Sequence, residues 1–272
     1  MTPFFFIDYD NTIFSHRTWS VPESALRALE SLKADGCRVF LASGRAFRSS
    51  ELPEEFQGRF VPDGLVSANG AIIEAEGKLI WEEFFEPELQ KRILDYVTEK
   101  GYCIVSGWNG FWCTTNLERF LRLNVNRNRK IIPQGGDAFR ILYKEKRPSF
   151  FLADTPEAIA DVQNHFPEVR LLYMGDEMGG ADIIPAAAGK EHGAAKILEY
   201  FHASWEHTVA IGDSMNDLGL IRAAAFGIAM GNAMAEVRAA ADFVTADADH
   251  DGLSLAVEQA RKWAASGSMQ TP

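Results

Sequence analysis

The chain has 272 residues, enough for one large domain or for a core plus a second one. A formal net charge of -11 with no Lys or Arg run argues against nucleic acid or an anionic membrane surface as the main partner, so any phosphate site must gather its positive charge locally. Three widely spaced cysteines, Cys37, Cys103 and Cys113, argue against a disulfide framework and a zinc site, and no apolar stretch approaches the roughly 20 residues of a membrane span. Met1 to Ile7 lacks the basic start of a signal peptide and runs straight into Asp8, so the expectation is a soluble cytoplasmic protein.

Phe4 to Ile7 reads as a buried strand that delivers Asp8, Asp10 and Thr12, at DxDxT spacing, into the loop behind it. Val21 to Gly36 carries Leu26, Leu29 and Leu32 at helical spacing, with Pro22 near its first turn and Gly36 at its stop. Cys37 to Ala42 is again a strand, which makes a βαβ unit ending on Ser43-Gly44-Arg45. From Gly64 to Trp81 the pattern changes to hairpins turning at Asn69-Gly70 and Glu76-Gly77.

Residues 82–180 form a block of their own. A helix over Pro87 to Lys100, strands at Tyr102 to Ser106 and Phe111 to Thr115, and a strand, helix, strand series through Ser149 to Ala153, Thr155 to His165 and Val169 to Met174 predict an α+β insertion. The glycines of Gly175 to Gly180 predict a hinge or exposed turn. The parallel rhythm then resumes with strand Ala181 to Ile184, helix Glu191 to Phe201, strand Thr208 to Ile211, a helix near Leu218 to Ala224, strand Phe226 to Ala229, and helices near Ala233 to Ala240 and Leu253 to Ala265. The expected fold is therefore α/β: a Rossmann-like parallel-sheet core over residues 1–81 and 181–272, interrupted by an α+β cap over 82–180.

Candidate chemistry sits in the loops behind the core strands: Asp8, Asp10 and Thr12; Ser43 and Gly44; Lys190 at the head of a helix; and Asp213, Asn216 and Asp217 within Gly212-Asp213-Ser214-Met215-Asn216-Asp217. Attack on a phosphate monoester needs a nucleophile, a proton donor for the leaving oxygen and cations to screen the phosphoryl oxygens. Asp8 suits the first role. Asp10 suits the second provided that it titrates above Asp8. Carboxylates about 4 Å apart repel by roughly 4 kcal/mol at an effective dielectric near 20, a penalty that a bound cation removes. Asp8, the backbone carbonyl of Asp10, and Asp213 offer hard oxygens without a nearby His or Cys, a set that favours Mg2+. Asp217 is placed to hold a metal-bound water or to orient Lys190. Thr12, Ser43 with the Gly44 N–H at a helix N-terminus, Lys190 and Asn216 are the phosphate donors. Bland alternatives exist for each: an N-cap for Ser43, a solvated Lys190, helix-start acids at Asp213 and Asp217, and surface or capping roles for His16 and His192. Only the joint order of the motifs selects phosphate chemistry.

Those motifs resemble the haloacid dehalogenase superfamily of aspartate-nucleophile phosphohydrolases, in its Cof-type branch, over the whole chain. Asp8 to Thr12 is similar to its first motif, Leu41 to Arg45 to its second, Lys190 to its third and Gly212 to Asp217 to its fourth; Ser67 to Ala71 and Ala229 to Ala233 resemble flanking signatures. The resemblance implies Asp8 as nucleophile, Asp10 as acid/base, magnesium on Asp8, the Asp10 backbone and Asp213, phosphate on Ser43, Gly44, Lys190 and Asn216, and a cap that selects the substrate. Asn11 stands where that family usually has glycine, and it tolerates the left-handed turn required there. The expected function is a magnesium-dependent phosphatase acting on a small phosphorylated metabolite. The alternatives are a phosphomutase, for which Arg119, Arg122, Arg127, Arg129 and Lys130 supply a second-phosphate clamp, and a non-catalytic phospho-ligand module. In the cap, Trp108, Asn109 and Trp112 are candidates either for ring contacts or for packing. Oligomeric state stays open between monomer and homodimer.

Overall fold

The computed structural model describes residues 2–108, 111–124, 132–174 and 179–268. The chain divides into two compact units, Met1–Glu82 with Ala188–Pro272, and Glu83–Ala187. In the first unit, β1 (Phe4–Asp8), β2 (Arg38–Ala42), β3 (Gly64–Ser67), β4 (Ile72–Ala75) and β5 (Lys78–Glu82) join β11 (Thr208–Gly212), β12 (Phe226–Ala229) and β13 (Phe243–Val244). They make an eight-stranded sheet in the order β13-β12-β11-β1-β2-β3-β4-β5. Strands β13 through β3 are parallel, and β4 and β5 return as the antiparallel hairpins expected at Asn69-Gly70 and Glu76-Gly77.

Central strands β1 and β11 are buried at every position, as strands covered on both faces must be. Helix α1 (Glu23–Ala34) turns Leu26, Leu29 and Leu32 inward and packs against β2 and against α8 (Gly252–Trp263). Helix α5 (Lys190–Tyr200) packs on β3 and β4, α6 (Leu218–Ala223) on β11 and β12, and α7 (Ala235–Ala240) on β12. Phe40 stacks on Phe4 and Phe6 with ring centroids 5.7 and 5.0 Å away. Each such buried ring contributes roughly 1.5–3 kcal/mol, which makes β1 a rigid mount for the residue at its end. No helix among the described residues is long and apolar enough to cross a membrane.

The second unit is built on β6 (Ile104–Trp108), β7 (Phe111–Thr114), β8 (Phe150–Leu152), β9 (Val169–Tyr173) and β10 (Ala181–Pro185), antiparallel in the order β7-β6-β8-β10-β9. Helices α2 (Pro87–Glu99) and α4 (Pro156–His165) bury Ile93, Leu94, Val97 and Val162 against Ile104, Phe150, Leu152 and Ile183. Helix α3 (Leu117–Asn124) packs Phe120 and Leu117 with Cys103, Val105 and Ala153.

Strand β10 corrects the sequence reading. Ala181 to Ile184 is expected in the parallel sheet, yet β10 pairs antiparallel with β8 and β9, so this unit extends to Ala187 and the first resumes at Ala188 rather than 181. A short β-branched run suits a parallel or an antiparallel neighbour equally, and only the pairing of Tyr173 with Ala181 shows that Gly175 to Gly180 joins two adjacent strands rather than two domains. Residues 175–178 of that connection lie outside the described residues, as do Asn109, Arg127, Arg129 and Lys130 and the side chain of Trp108. Trp112 is 41% exposed. Arg119 forms a two-pronged ion pair with the buried Asp154 carboxylate at 2.6 Å, which also accepts the Cys103 N–H, so it ties α3 to the start of β6.

Candidate active site

Parallel pairing brings three strand ends to one edge of the sheet. Asp8 lies opposite Ala42, and Ile7 opposite Ile211. Asp8, the Ser43 turn and the Gly212-Asp213 turn therefore open side by side at the carboxyl ends of β1, β2 and β11, where ligands bind in open α/β sheets.

Lys190 begins α5 and is fully buried. Its Nζ donates to Asp8 Oδ1 and to Asp217 Oδ1, each at 2.6 Å. Two charge-assisted bonds offset the desolvation of the ammonium. Burial pulls the Lys190 ammonium down, but the Asp217 and Asp8 carboxylates outweigh it and hold the group above its ordinary value. The other Asp217 oxygen accepts the backbone N–H groups of Asp213 and Ser214 at 3.0 and 3.1 Å. Gly212 permits that fold-back, because a Cβ there would stand 2.4 Å from the Asp217 carboxyl carbon.

Carboxylate oxygens of Asp8, Asp213 and Asp217 lie within 4.8 Å of one another, and all three residues are buried. Three carboxylates facing one ammonium leave an excess of two negative charges. Burial raises the Asp8 carboxyl to about 8; Lys190 opposes the rise, and Asp217 and Asp10 add to it. Burial, then the charges of Asp8 and Asp217, likewise push Asp213 well above the carboxylate range. A divalent cation matches both the charge excess and the hard oxygen donors. Asp8 Oδ2 and Thr12 Oγ1 are buried and have no hydrogen-bond partner among the described residues. Since buried polar atoms are ordinarily satisfied, each of these two is a place where a ligand's polar atom fits.

Asp10 is half-buried and engaged elsewhere. Its Oδ1 lies 2.7 Å from His16 Nε2 and accepts Arg45 Nη2 at 2.5 Å, and its Oδ2 accepts Arg45 Nε at 3.0 Å. Burial favours the protonated carboxyl, but the bonds from His16 and Arg45 prevail and hold Asp10 below its ordinary value. The expected order, Asp10 titrating above Asp8, is therefore reversed here: Asp10 faces cationic and ring donors, while Asp8 shares a buried pocket with other carboxylates. His16, expected at the surface or on a cap, proves to be a partner of Asp10. His192 lies against Trp81, with ring centroids 4.8 Å apart and the ring planes tilted by 52°.

Ser43 is buried but does not open a helix; the next helical turn after it is a short 3-10 segment, Glu54–Phe56. Its Oγ accepts the Arg45 N–H at 3.0 Å and so closes a turn around Gly44. Asn11 adopts the left-handed backbone expected of it, with φ 57°, and its Oδ1 accepts the His16 N–H at 3.2 Å. Asn216 donates to Asn69 Oδ1 at 2.8 Å and accepts from Ser214 Oγ at 2.6 Å. Asn232, which the motif reading passes over, bridges the Asn11 carbonyl at 3.0 Å and Asp213 Oδ2 at 3.5 Å. The only signal for it was the flanking Ala229 to Ala233 stretch.

A family model for haloacid dehalogenase-like hydrolases matches residues 5–257. YkrA of Bacillus subtilis (strain 168) is 28% identical over 93% of this chain and 96% of its own length. Phosphatase YwpJ of the same organism is 25% identical over 91% of this chain and 96% of its own. Among solved structures, the subclass IIB sugar phosphatase BT4131 superposes with a TM-score of 0.81 at 28% identity, covering 95% of this chain and 98% of that one. Match, superposition and convergent motif loops agree: the chain belongs to the haloacid dehalogenase-like hydrolase family, in its Cof-type branch.

Proposed function

We propose that this hydrolase is a magnesium-dependent phosphatase that takes a small phosphorylated metabolite through an aspartyl-phosphate intermediate on Asp8. The observation that carries the reading is the state of Asp8: one carboxylate oxygen is fixed on Lys190, and the other is buried without a partner among the described residues, as is the Thr12 hydroxyl. Relatives named as phosphatases support it, among them one named a sugar phosphatase.

Asp8 and Asp213, with the Asp10 backbone carbonyl, would hold the magnesium, and Asp217 orients Lys190, since both its oxygens already accept donors. When bound, the ion screens the negative charge of the phosphoryl oxygens. Asp8 Oδ2 attacks phosphorus, the bond to the leaving oxygen breaks, and that oxygen takes a proton from Asp10. Asp10 then accepts a proton from water as the water attacks the aspartyl phosphate, which releases inorganic phosphate and frees Asp8. Taking up the first proton requires Asp10 to leave the Arg45 guanidinium, whose charge favours the carboxylate. Lys190, Thr12, Asn216, Ser43 and the Gly44 N–H hold the phosphoryl oxygens throughout. Residues 83–187 are the unit that selects the leaving group.

Arg119 spends its guanidinium on Asp154, which removes one candidate from the cationic clamp a phosphomutase needs. A panel of sugar phosphates, nucleotides, flavin and pyridoxal phosphates, assayed for phosphate release with and without magnesium, tests the proposal. Release that depends on magnesium, with no isomerised sugar, is the expected result; no release from any ester would overturn it.

A further inference from the structure

Between β3 and β4 the backbone takes an unusual course: Ala68, Asn69 and Gly70 follow one another at φ of 49°, 53° and 82°. Glycine adopts this region freely, but for residues with a Cβ each visit costs roughly 1–2 kcal/mol, least for Asn. Such strain persists only where the surroundings over-determine it, and all three residues are buried. The contacts that impose it belong to the site. The Ala68 N–H donates to the Arg45 carbonyl at 2.9 Å and the Asn69 N–H to the Ser43 carbonyl at 3.0 Å. Gly70 lies so near Gly189, the residue before Lys190, that a Cβ would stand 2.0 Å from its carbonyl oxygen. Asn69 Oδ1 receives the side-chain amide of Asn216 at 2.8 Å.

We infer that Asn69 is a positioning residue for the phosphate cradle: its left-handed turn registers the Ser43 loop against the start of α5, and its side-chain carbonyl aims Asn216. The inference rests on the phosphate reading of the site given above. Asn216 is 5% exposed, and its carbonyl is held by Ser214 and one amide N–H by Asn69. Its orientation is thus fixed at both ends, which leaves the second N–H to donate to phosphate in the proposed site. A buried amide would otherwise rotate to whatever partner it found.

Asn69→Gly keeps the left-handed backbone and removes the side-chain bond to Asn216. Calorimetric titration of inorganic phosphate into the magnesium-loaded full chain should show binding about tenfold weaker than wild type, the scale of one misaimed bond to a charged group. KM for p-nitrophenyl phosphate should rise by the same factor with kcat changed less than about threefold, because the cradle meets phosphate equally in ground and transition states. In an Asn216→Ala background the same change should add nothing. A merely structural role would instead lower the melting temperature and the active fraction without this coupling. Unchanged phosphate affinity in Asn69→Gly, or losses that multiply across the two sites, overturns the inference. A wild-type chain that binds phosphate yet hydrolyses no ester overturns the catalytic proposal alone, leaving binding to decide this one; a wild-type chain that binds no phosphate overturns both.

Discussion

Lys190→Met exposes the electrostatic design of the site most sharply. The side chain is fully buried and its ammonium makes two bonds of 2.6 Å, so methionine fills nearly the same space while removing the positive charge facing three carboxylates. Breaking a buried pair by deleting one partner costs about 3–5 kcal/mol. At roughly 2–4 °C per kcal/mol for a unit of this size, the metal-free melting temperature should fall by about 10 °C. The loss depends on pH with a definite sign. Asp8 already sits near 8 and Asp213 well above its usual range, so the folded state binds protons that the unfolded chain releases. Stability contributed by these carboxyls therefore declines as pH rises from the unfolded carboxylate range through about 8, more steeply once Lys190 is gone. Thermal melts at pH 6 and pH 8.5 should show the larger deficit at pH 8.5, and magnesium should restore more in the variant than in wild type. Turnover of a good ester should drop by roughly 10²–10³. A melting temperature within about 2 °C of wild type at pH 8.5 without magnesium, under about 1 kcal/mol, would refute the claim that Lys190 balances the carboxylate cluster.

Three further outcomes follow from the same geometry. Because the raised carboxyls of Asp8 and Asp213 must ionise to hold a cation, magnesium binding should release protons and tighten as pH climbs from 6 to 8; calorimetry in buffers of different ionisation enthalpy that returned one identical heat would contradict this. Thr12→Val deletes a buried hydroxyl that has no partner among the described residues, so melting should hold or improve by up to about 1 kcal/mol while KM rises about tenfold, and a KM equal to wild type would show that the hydroxyl faces no phosphate. Burial favours protonation of Glu74, but hydrogen bonds from Ser49 and Arg48 win and depress it, so its contribution to stability is present above the unfolded carboxylate range and lost as pH falls through its depressed folded value. Glu74→Gln should accordingly flatten the acid limb of the stability curve, and parallel curves for variant and wild type would count against it.

Much of the core was legible because its signals are local and periodic. Phe4 to Ile7 announces β1 by an apolar run, Leu26, Leu29 and Leu32 mark the buried stripe of α1, and Asn69-Gly70 and Glu76-Gly77 mark the hairpins. The convergence of Asp8, Asp213 and Asp217 was legible from motif order, since parallel strands place their following loops on one edge, whereas Lys190 follows β10 of the antiparallel sheet and was placed there only by the resemblance of its motif. What escaped depends on long-range pairing or rotamers. The β10 run suits a parallel or an antiparallel neighbour equally, so its pairing with the preceding β9 and the more remote β8 is not written in its residues, and the two-residue edge strand β13 carries too little pattern to recognise. Nothing in the residues of His16 shows that its ring reaches Asp10, or that Arg45 holds that carboxylate in its ionised form. The strain at Ala68 is equally silent, since alanine in isolation avoids that conformation.

The central claim is covalent capture of phosphate on Asp8. Mixing enzyme, magnesium and a turned-over ester for a fraction of one turnover, quenching in acid and mapping peptides by mass spectrometry should find one phosphoryl group on the peptide containing Asp8, and none in Asp8→Asn, which should fold but not turn over. Hydrolysis that proceeds with no phosphorylated peptide, a phosphoryl group on another residue, or sustained turnover by Asp8→Asn would contradict the account.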